Sequence, residues 1–384
     1  MLLYLTPLLL FILVPVLAEG AARLYIRRSR YYPWPPGYHL DMTLDPRVHI
    51  GGQTLVRLRA NERGERGRPV ASPAGTFRVL AVGGSAVECY LLDEASTWPA
   101  MLEKELRRAA PRTQQVYVGN AGKSSVDSYV LTRMLRKLAP NYVPAVDVLL
   151  IMVGASDILR WLEAGAPAEW EGDTSTALEA FLEVNPETVF GWRPRTLALA
   201  ELWRRRRATQ PQSRGNVGKS LLKARQFRQK ATRVLEETAD SGQMFRRFER
   251  YLAESIGLGR QFAQRVIVIS QPCFTRSEYT PEELAGFWNG SIGDPYQREP
   301  DAFYSPQLIA RLMRQLRDRA AAVAATEKVE FVDLCSGAIP DSVEQYYDQF
   351  HFTPEGAARV GALLAQVVSE GAGEQGPLSA KIKR

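Results

Sequence analysis

The chain has 384 residues, 45% hydrophobic and 24% charged, with 29 glycines and 24 prolines. This composition excludes a disordered chain, a collagen-like repeat or a coiled-coil rod. Three widely spaced cysteines (Cys89, Cys273, Cys335) and three histidines (His39, His49, His351) offer neither a disulfide framework nor a metal-ligand spacing, so no metal or other cofactor is expected. The net charge of +7 is concentrated: eleven Lys/Arg and no acid fall between Arg204 and Arg233, and the remainder is net acidic. Such a block is a solvated face, or a surface for a polyanion such as anionic lipid head groups. Without a helix-turn-helix or aromatic-interleaved basic motif, no nucleic-acid partner is expected.

Leu2 to Ala18 is an apolar run, which Gly20–Ala22 and Leu24–Ile26 extend across Glu19 and Arg23. An uncleaved anchor, a secretory signal ending at Val16-Leu17-Ala18 and a buried core helix compete for residues 1–30. So apolar a run at the N-terminus favours the anchor. The expectation is therefore a single-pass membrane protein with its main domain outside the cytoplasm. The flanks conflict with that topology, because Arg23, Arg27, Arg28 and Arg30 all follow the run and the positive-inside rule would hold the bulk in the cytoplasm. Residues 31–75 read as a Pro-rich linker (YYPWPPG) and an irregular or β-like lead-in.

From Thr76 the pattern becomes alternating strands and helices. Strands are expected at Phe77–Val82, Gln115–Val118, Val146–Val153, Val266–Ser270 and Glu330–Leu334, short β-branched runs of the kind that form buried parallel sheets. Helices are expected at Thr97–Ala109, Val126–Leu138, Ser305–Ala325 and Thr353–Val368, the last opening T-P-E. The fold class is thus α/β, a doubly wound and mainly parallel five-stranded sheet over residues 76–370. A mainly helical insertion carrying the basic block spans about 165–260, and residues 371–384 form a flexible tail.

In such sheets ligands bind beyond the carboxyl ends of the strands. After the first strand comes Gly83-Gly84-Ser85, a serine on a glycine turn that could present a nucleophile. Gly119-Asn120-Ala121-Gly122-Lys123-Ser124-Ser125 and Gly154-Ala155-Ser156-Asp157 follow the next two strands and could offer N–H groups to an oxyanion. In Tyr346-Tyr347-Asp348-Gln349-Phe350-His351 the acid and imidazole stand three residues apart, close enough for Asp348 to fix the His351 tautomer. Each has a plainer reading, as a turn, a polar loop or a helix-capping histidine. Gly215-Asn216-Val217-Gly218-Lys219-Ser220 looks like part of a phosphate loop, but Ser213 stands where glycine is required and no strand is expected before it. Glu236-Glu237 and the acids of 163–171 read as solvated faces.

Taken in order, these stretches resemble the SGNH (GDSL-type) hydrolases, serine esterases with a flavodoxin-like three-layer fold. Asn61-Glu62-Arg63-Gly64-Glu65-Arg66-Gly67 is similar to the lead-in of their membrane-anchored G-G-S members. The resemblance implies Ser85 as nucleophile, His351 as general base and acid, and Asp348 as its orienting carboxylate. It implies an oxyanion hole of Ser85, Ser125 and Ser156, with Gly122 and Asn120 as alternatives, since Ser125 replaces the family's glycine and Ser156 its asparagine. The expected activity is hydrolysis or transfer of an acyl group such as O-acetyl. The expected substrate is an acylated small molecule, glycan or lipid. A catalytically weakened glycan-binding or assembly protein is the alternative.

Overall fold

The computed structural model describes residues 2–28, 31–48, 50–69, 75–111, 114–142, 145–172, 197–208, 210–296 and 298–371. His49, the tail beyond residue 371 and positions 173–196 of the expected insertion lie outside them. In chain order the helices are α1 (Leu2–Arg28), α2 (Ser85–Glu88), α3 (Trp98–Ala109), α4 (Ser128–Leu138), α5 (Ala155–Glu163), α6 (Ala198–Ala208), α7 (Lys219–Gln229), α8 (Gly242–Gly259), α9 (Pro281–Gly286), α10 (Pro306–Thr326) and α11 (Pro354–Gly371). The strands are β1 (His39–Leu44), β2 (Leu55–Arg59), β3 (Thr76–Gly83), β4 (Gln115–Asn120), β5 (Val146–Met152), β6 (Gln212–Val217), β7 (Val234–Leu235), β8 (Ala263–Ile269), β9 (Phe303–Tyr304) and β10 (Glu330–Val332).

The central sheet has five strands in the order β10-β8-β5-β3-β4, all pairs parallel. Counted along the chain this is the 2-1-3-4-5 order of a flavodoxin-like sheet. Alternate residues of each strand feed two cores, because a strand presents successive side chains to opposite faces. Leu80, Val82, Leu149, Ile151, Val266 and Val268 pack with α4, α8 and α10. Val79, Ala81, Val148, Leu150, Ile267 and Ile269 pack with α3 and α11. Helix starts follow local chemistry: Thr97, Asp127 and Ser305 cap the N-termini of α3, α4 and α10 through side-chain oxygens. The strand order turns outward from β3 on one side and β5 on the other, so the ligand crevice belongs between their carboxyl ends.

Three expectations change. The N-terminal run is helical, but among the described residues no helix is long and apolar enough to cross a membrane. The single-pass anchor, on which the extracytoplasmic placement rested, is overturned. Polar groups in the second half of α1 serve the fold instead: Glu19 pairs with Arg23 at 2.9 Å and accepts the N–H groups of Ala198 and Leu199, capping α6. Second, the mainly helical insertion also carries a strand where none was expected: polar β6 pairs parallel to β1, which pairs antiparallel with β2. The G-N-V-G-K-S stretch thus begins inside a strand, its first three residues being the end of β6, and Ser213 still occupies the glycine position. Third, the basic block is not one solvated face, because Arg225 is buried and Arg228 half-buried, each bonded to main-chain carbonyls.

Candidate active site

β3 ends at Gly83, where φ is +153° and a Cβ would lie 1.8 Å from the Met152 carbonyl oxygen. Only glycine can make that approach. Gly84 then caps the short helix α2, and Ser85 is its first residue. An N-terminal helical N–H has no intrahelical acceptor, so the turn presents the Ser85 hydroxyl and its N–H together at the switch point.

The facing group comes from the loop before α11. Tyr346 and Phe352 form an antiparallel bridge, Tyr347 N–H donates to the His351 carbonyl at 3.0 Å, and Thr353 Oγ1 accepts Gly356 N–H at 3.2 Å. In this tight loop Asp348 is fully enclosed. Its Oδ1 accepts the N–H groups of Phe350 (2.7 Å) and His351 (2.9 Å). Its Oδ2 accepts the Trp288 indole N–H at 2.8 Å and lies 2.7 Å from His351 Nδ1. His351 Nε2 lies 2.7 Å from Ser85 Oγ. Burial alone would raise the Asp348 pKa, but His351 and the N–H donors outweigh it and hold the carboxyl below its ordinary range. Parallel rings of Trp288 and Tyr347, with centroids 6.3 and 5.5 Å from the imidazole, limit its rotation.

Ser125 has φ +64°, the backbone state that favours the glycine usual there in the resembled family. Its loop is tied on both sides: Glu88 of α2 accepts Ser124 N–H at 2.7 Å and the Ser124 hydroxyl, and Arg160 donates to the Ser125 carbonyl at 2.6 Å. Ser156, in the first turn of α5, stands beside the serine turn, its Oγ 3.8 Å from where a Cβ on Gly84 would be. The two alternatives for the oxyanion do not reach the cleft. Asn120 is buried, donating to the Val87 carbonyl and accepting Gly122 N–H, both at 2.9 Å. Gly122 is packed so tightly that a Cβ would lie 2.4 Å from Glu88 N.

A cleft of about 950 Å³ opens over these groups. Ser156, Leu159, Arg160 and Glu163 line it from one face of α5, while Val217, Gly218, Ser220 and Leu221 line it from the insertion. Glu163, read from sequence as part of a solvated face, is exposed where it borders the cleft; partial desolvation there, then the charge of Asp294, push its carboxyl up to about 7.

Sequence reasoning missed several groups. Arg66 of the lead-in motif is buried and donates to the carbonyls of Glu88 (2.7 Å), Cys89 (2.6 Å) and Leu92, while pairing with Glu94 at 3.1 Å. It thereby holds the C-terminal end of α2. Trp288 and Arg160 belong to segments with no local motif. A buried network of Asp127 and Asp157 around Arg247, at 3.4 and 3.5 Å, ties the starts of α4 and α5 to α8.

No family model matches the chain, and no curated protein matches it. Among solved structures it is similar to Axe2, an acetylxylan esterase from Geobacillus stearothermophilus, at 12% identity and a TM-score of 0.40, covering 76% of this chain and 94% of that one. It is also similar to LAE5, an alpha/beta hydrolase enzyme from the metagenome of Lake Arreo, Spain, at 12% identity and a TM-score of 0.41, covering 77% and 95%. Likenesses this distant carry no argument about activity, which rests on the site's own geometry. That geometry is of one class: a serine, a histidine and a buried carboxylate in a hydrogen-bonded row at the switch point of a parallel sheet.

Proposed function

We propose that the protein is a serine ester hydrolase of SGNH type, with Ser85 as nucleophile, His351 as general base and acid, and Asp348 as the carboxylate that orients it. The observation that carries this reading is the continuous Ser85–His351–Asp348 chain, with 2.7 Å at each link, over an open cleft. His351 Nε2 takes the Ser85 proton as Oγ bonds to the ester carbonyl carbon. The carbonyl electron pair moves to oxygen, where the N–H groups of Ser85 and Ser125 and the Ser156 hydroxyl stabilise it. The carbon–alcohol bond then breaks, and the alcohol leaves with the proton from His351. Water repeats the sequence on the acyl-serine, with His351 taking its proton, and releases the acid.

The substrate class is a carboxylic ester with a small acyl group such as acetyl, carried by a glycan, a lipid or a small molecule. A sugar hydroxyl in place of water would make the same residues an acyltransferase. Residues 76–370 form the catalytic domain, and the insertion supplies part of its cleft wall. The test is release of p-nitrophenol from p-nitrophenyl acetate by the purified protein beside Ser85→Ala. Turnover lost in the variant supports the reading, and equal rates in the two proteins overturn it.

A further inference from the structure

α7, inside the basic block, buries Arg225 and half-buries Arg228 on one side. Arg225 donates Nη1–H to the Val48 carbonyl (2.9 Å), Nε–H to that of Gly286 (3.0 Å) and Nη2–H to that of Tyr347 (2.9 Å). One turn on, Arg228 donates to the carbonyls of Asn289 and Tyr304, the second at 2.8 Å. The two guanidinium groups thus hold the main chain on either side of Trp288, and Arg225 also holds the residue next to Asp348. The loops they hold are in close contact already, since a Cβ on Gly286 would lie 3.0 Å from the Tyr347 carbonyl oxygen. Trp288 in turn gives its indole N–H to Asp348.

We infer that Arg225 is a positioning residue for the Ser85–His351–Asp348 chain, setting Trp288 and Asp348 in register by joining three loops through one planar fork. This rests on the proposed esterase reading for its kinetic consequence, though not for its structural one. A guanidinium suits the role because its donors are fixed in one plane, so three carbonyls at set angles are satisfied at once. All three partners are neutral, and the burial that lowers the Arg225 pKa is opposed by the charge of Asp348. The arginine therefore acts on the loops through hydrogen bonds and on Asp348 through charge. A basic residue in an insertion then has a catalytic consequence without touching substrate.

The test compares the full chain with Arg225→Met, Arg225→Ala, Arg225→Lys and, as a charge control on the exposed side of α7, Lys223→Met. With p-nitrophenyl acetate, Arg225→Met is expected to lower kcat by about ten- to a hundredfold with KM within about twofold of wild type, the split expected of a misplaced catalytic group. Arg225→Lys should recover part of the loss, and ethylguanidinium in the buffer should restore activity to Arg225→Ala, whose truncated side chain leaves room for it. Lys223→Met should match wild type. The low-field proton NMR signal of the His351 Nδ1–H bonded to Asp348 should be present in wild type and lost or displaced in Arg225→Met. A folded Arg225→Met with unchanged kcat and an unchanged signal overturns the proposal; if that variant does not fold, Arg225→Lys decides by the same two readouts. Should wild type be inert toward esters, the esterase reading falls, and the signal alone judges Arg225.

Discussion

Trp288→Phe isolates one hydrogen bond in the proposed catalytic chain. The substitution keeps an aromatic ring beside His351 and removes the indole N–H, which lies 2.8 Å from Asp348 Oδ2. Asp348 accepts from four N–H groups: those of Phe350 and His351, the indole, and His351 Nδ1. A hydrogen bond to a charged group is worth about 1.5–3 kcal/mol, so complete loss in the transition state would slow acylation by roughly ten- to 150-fold at 1.4 kcal/mol per tenfold. Trp288 lines the cleft, so water can take the place of its donor, and the lower end of that range applies. The expected fall in kcat is therefore about tenfold, with the pair at Ser85 and His351 intact and thermal stability within about 1 kcal/mol of wild type. Stopped-flow measurement of the p-nitrophenol burst separates acylation from later steps. An acylation rate within twofold of wild type would refute the assignment of Trp288 as a working donor to Asp348.

Other substitutions reach the remaining groups. Arg66→Met should cost about 3–5 kcal/mol in denaturant unfolding, because it strands Glu94 and the carbonyls of Glu88, Cys89 and Leu92; a cost below 1 kcal/mol would contradict the bonds drawn there. Ser125→Gly should keep activity and hold or raise the melting temperature, since glycine adopts φ +64° freely, whereas Ser125→Val should destabilise the loop and slow turnover. Ser156→Ala should lower kcat by about 10²-fold if its hydroxyl faces the oxyanion; an unchanged kcat would remove it from the site. Asp157 is held neutral up to about 7, chiefly by burial and then by Asp127. Its raised folded pKa means stability is lost as pH climbs from the ordinary carboxylate range through about 7. Asp157→Asn should remove that slope from melting curves taken across this window, while the opposite slope from Asp348, whose depressed pKa costs stability as pH falls below about 4, should remain.

Most of the central sheet was legible because buried parallel strands carry their signal in composition. Phe77–Val82 became β3 and Val146–Val153 became β5 with ends shifted by a residue. The placing of the site beyond the carboxyl ends of the strands then followed from the rule for doubly wound sheets, whereas the strand order is visible only in the fold. β6 was not legible: Gln212–Val217 is polar and glycine-bearing, and it is a strand only because β1, far away in the chain, offers it a parallel edge. The burial of Arg225 and Arg228 was hidden for a related reason. Leu221, Ala224, Arg225 and Arg228 fall on one helical stripe, yet a charged residue on such a stripe reads as solvated unless the carbonyls awaiting it are known. The N-terminal run misled because Glu19 and Arg23 read as mere interruptions of an apolar span, whereas their partners, on α6 and within α1, appear only in the fold. Ser85, His351 and Asp348 were legible as separate motifs, but their meeting required the sheet to bring positions far apart in the chain together.

The central claim is that Ser85 is an activated nucleophile. Labelling of the purified protein with a fluorophosphonate probe tests it without knowledge of the substrate. Stoichiometric modification at Ser85 is expected, abolished in Ser85→Ala and in His351→Ala. A folded wild-type protein that resists the probe, or that is labelled equally well in His351→Ala, would contradict it.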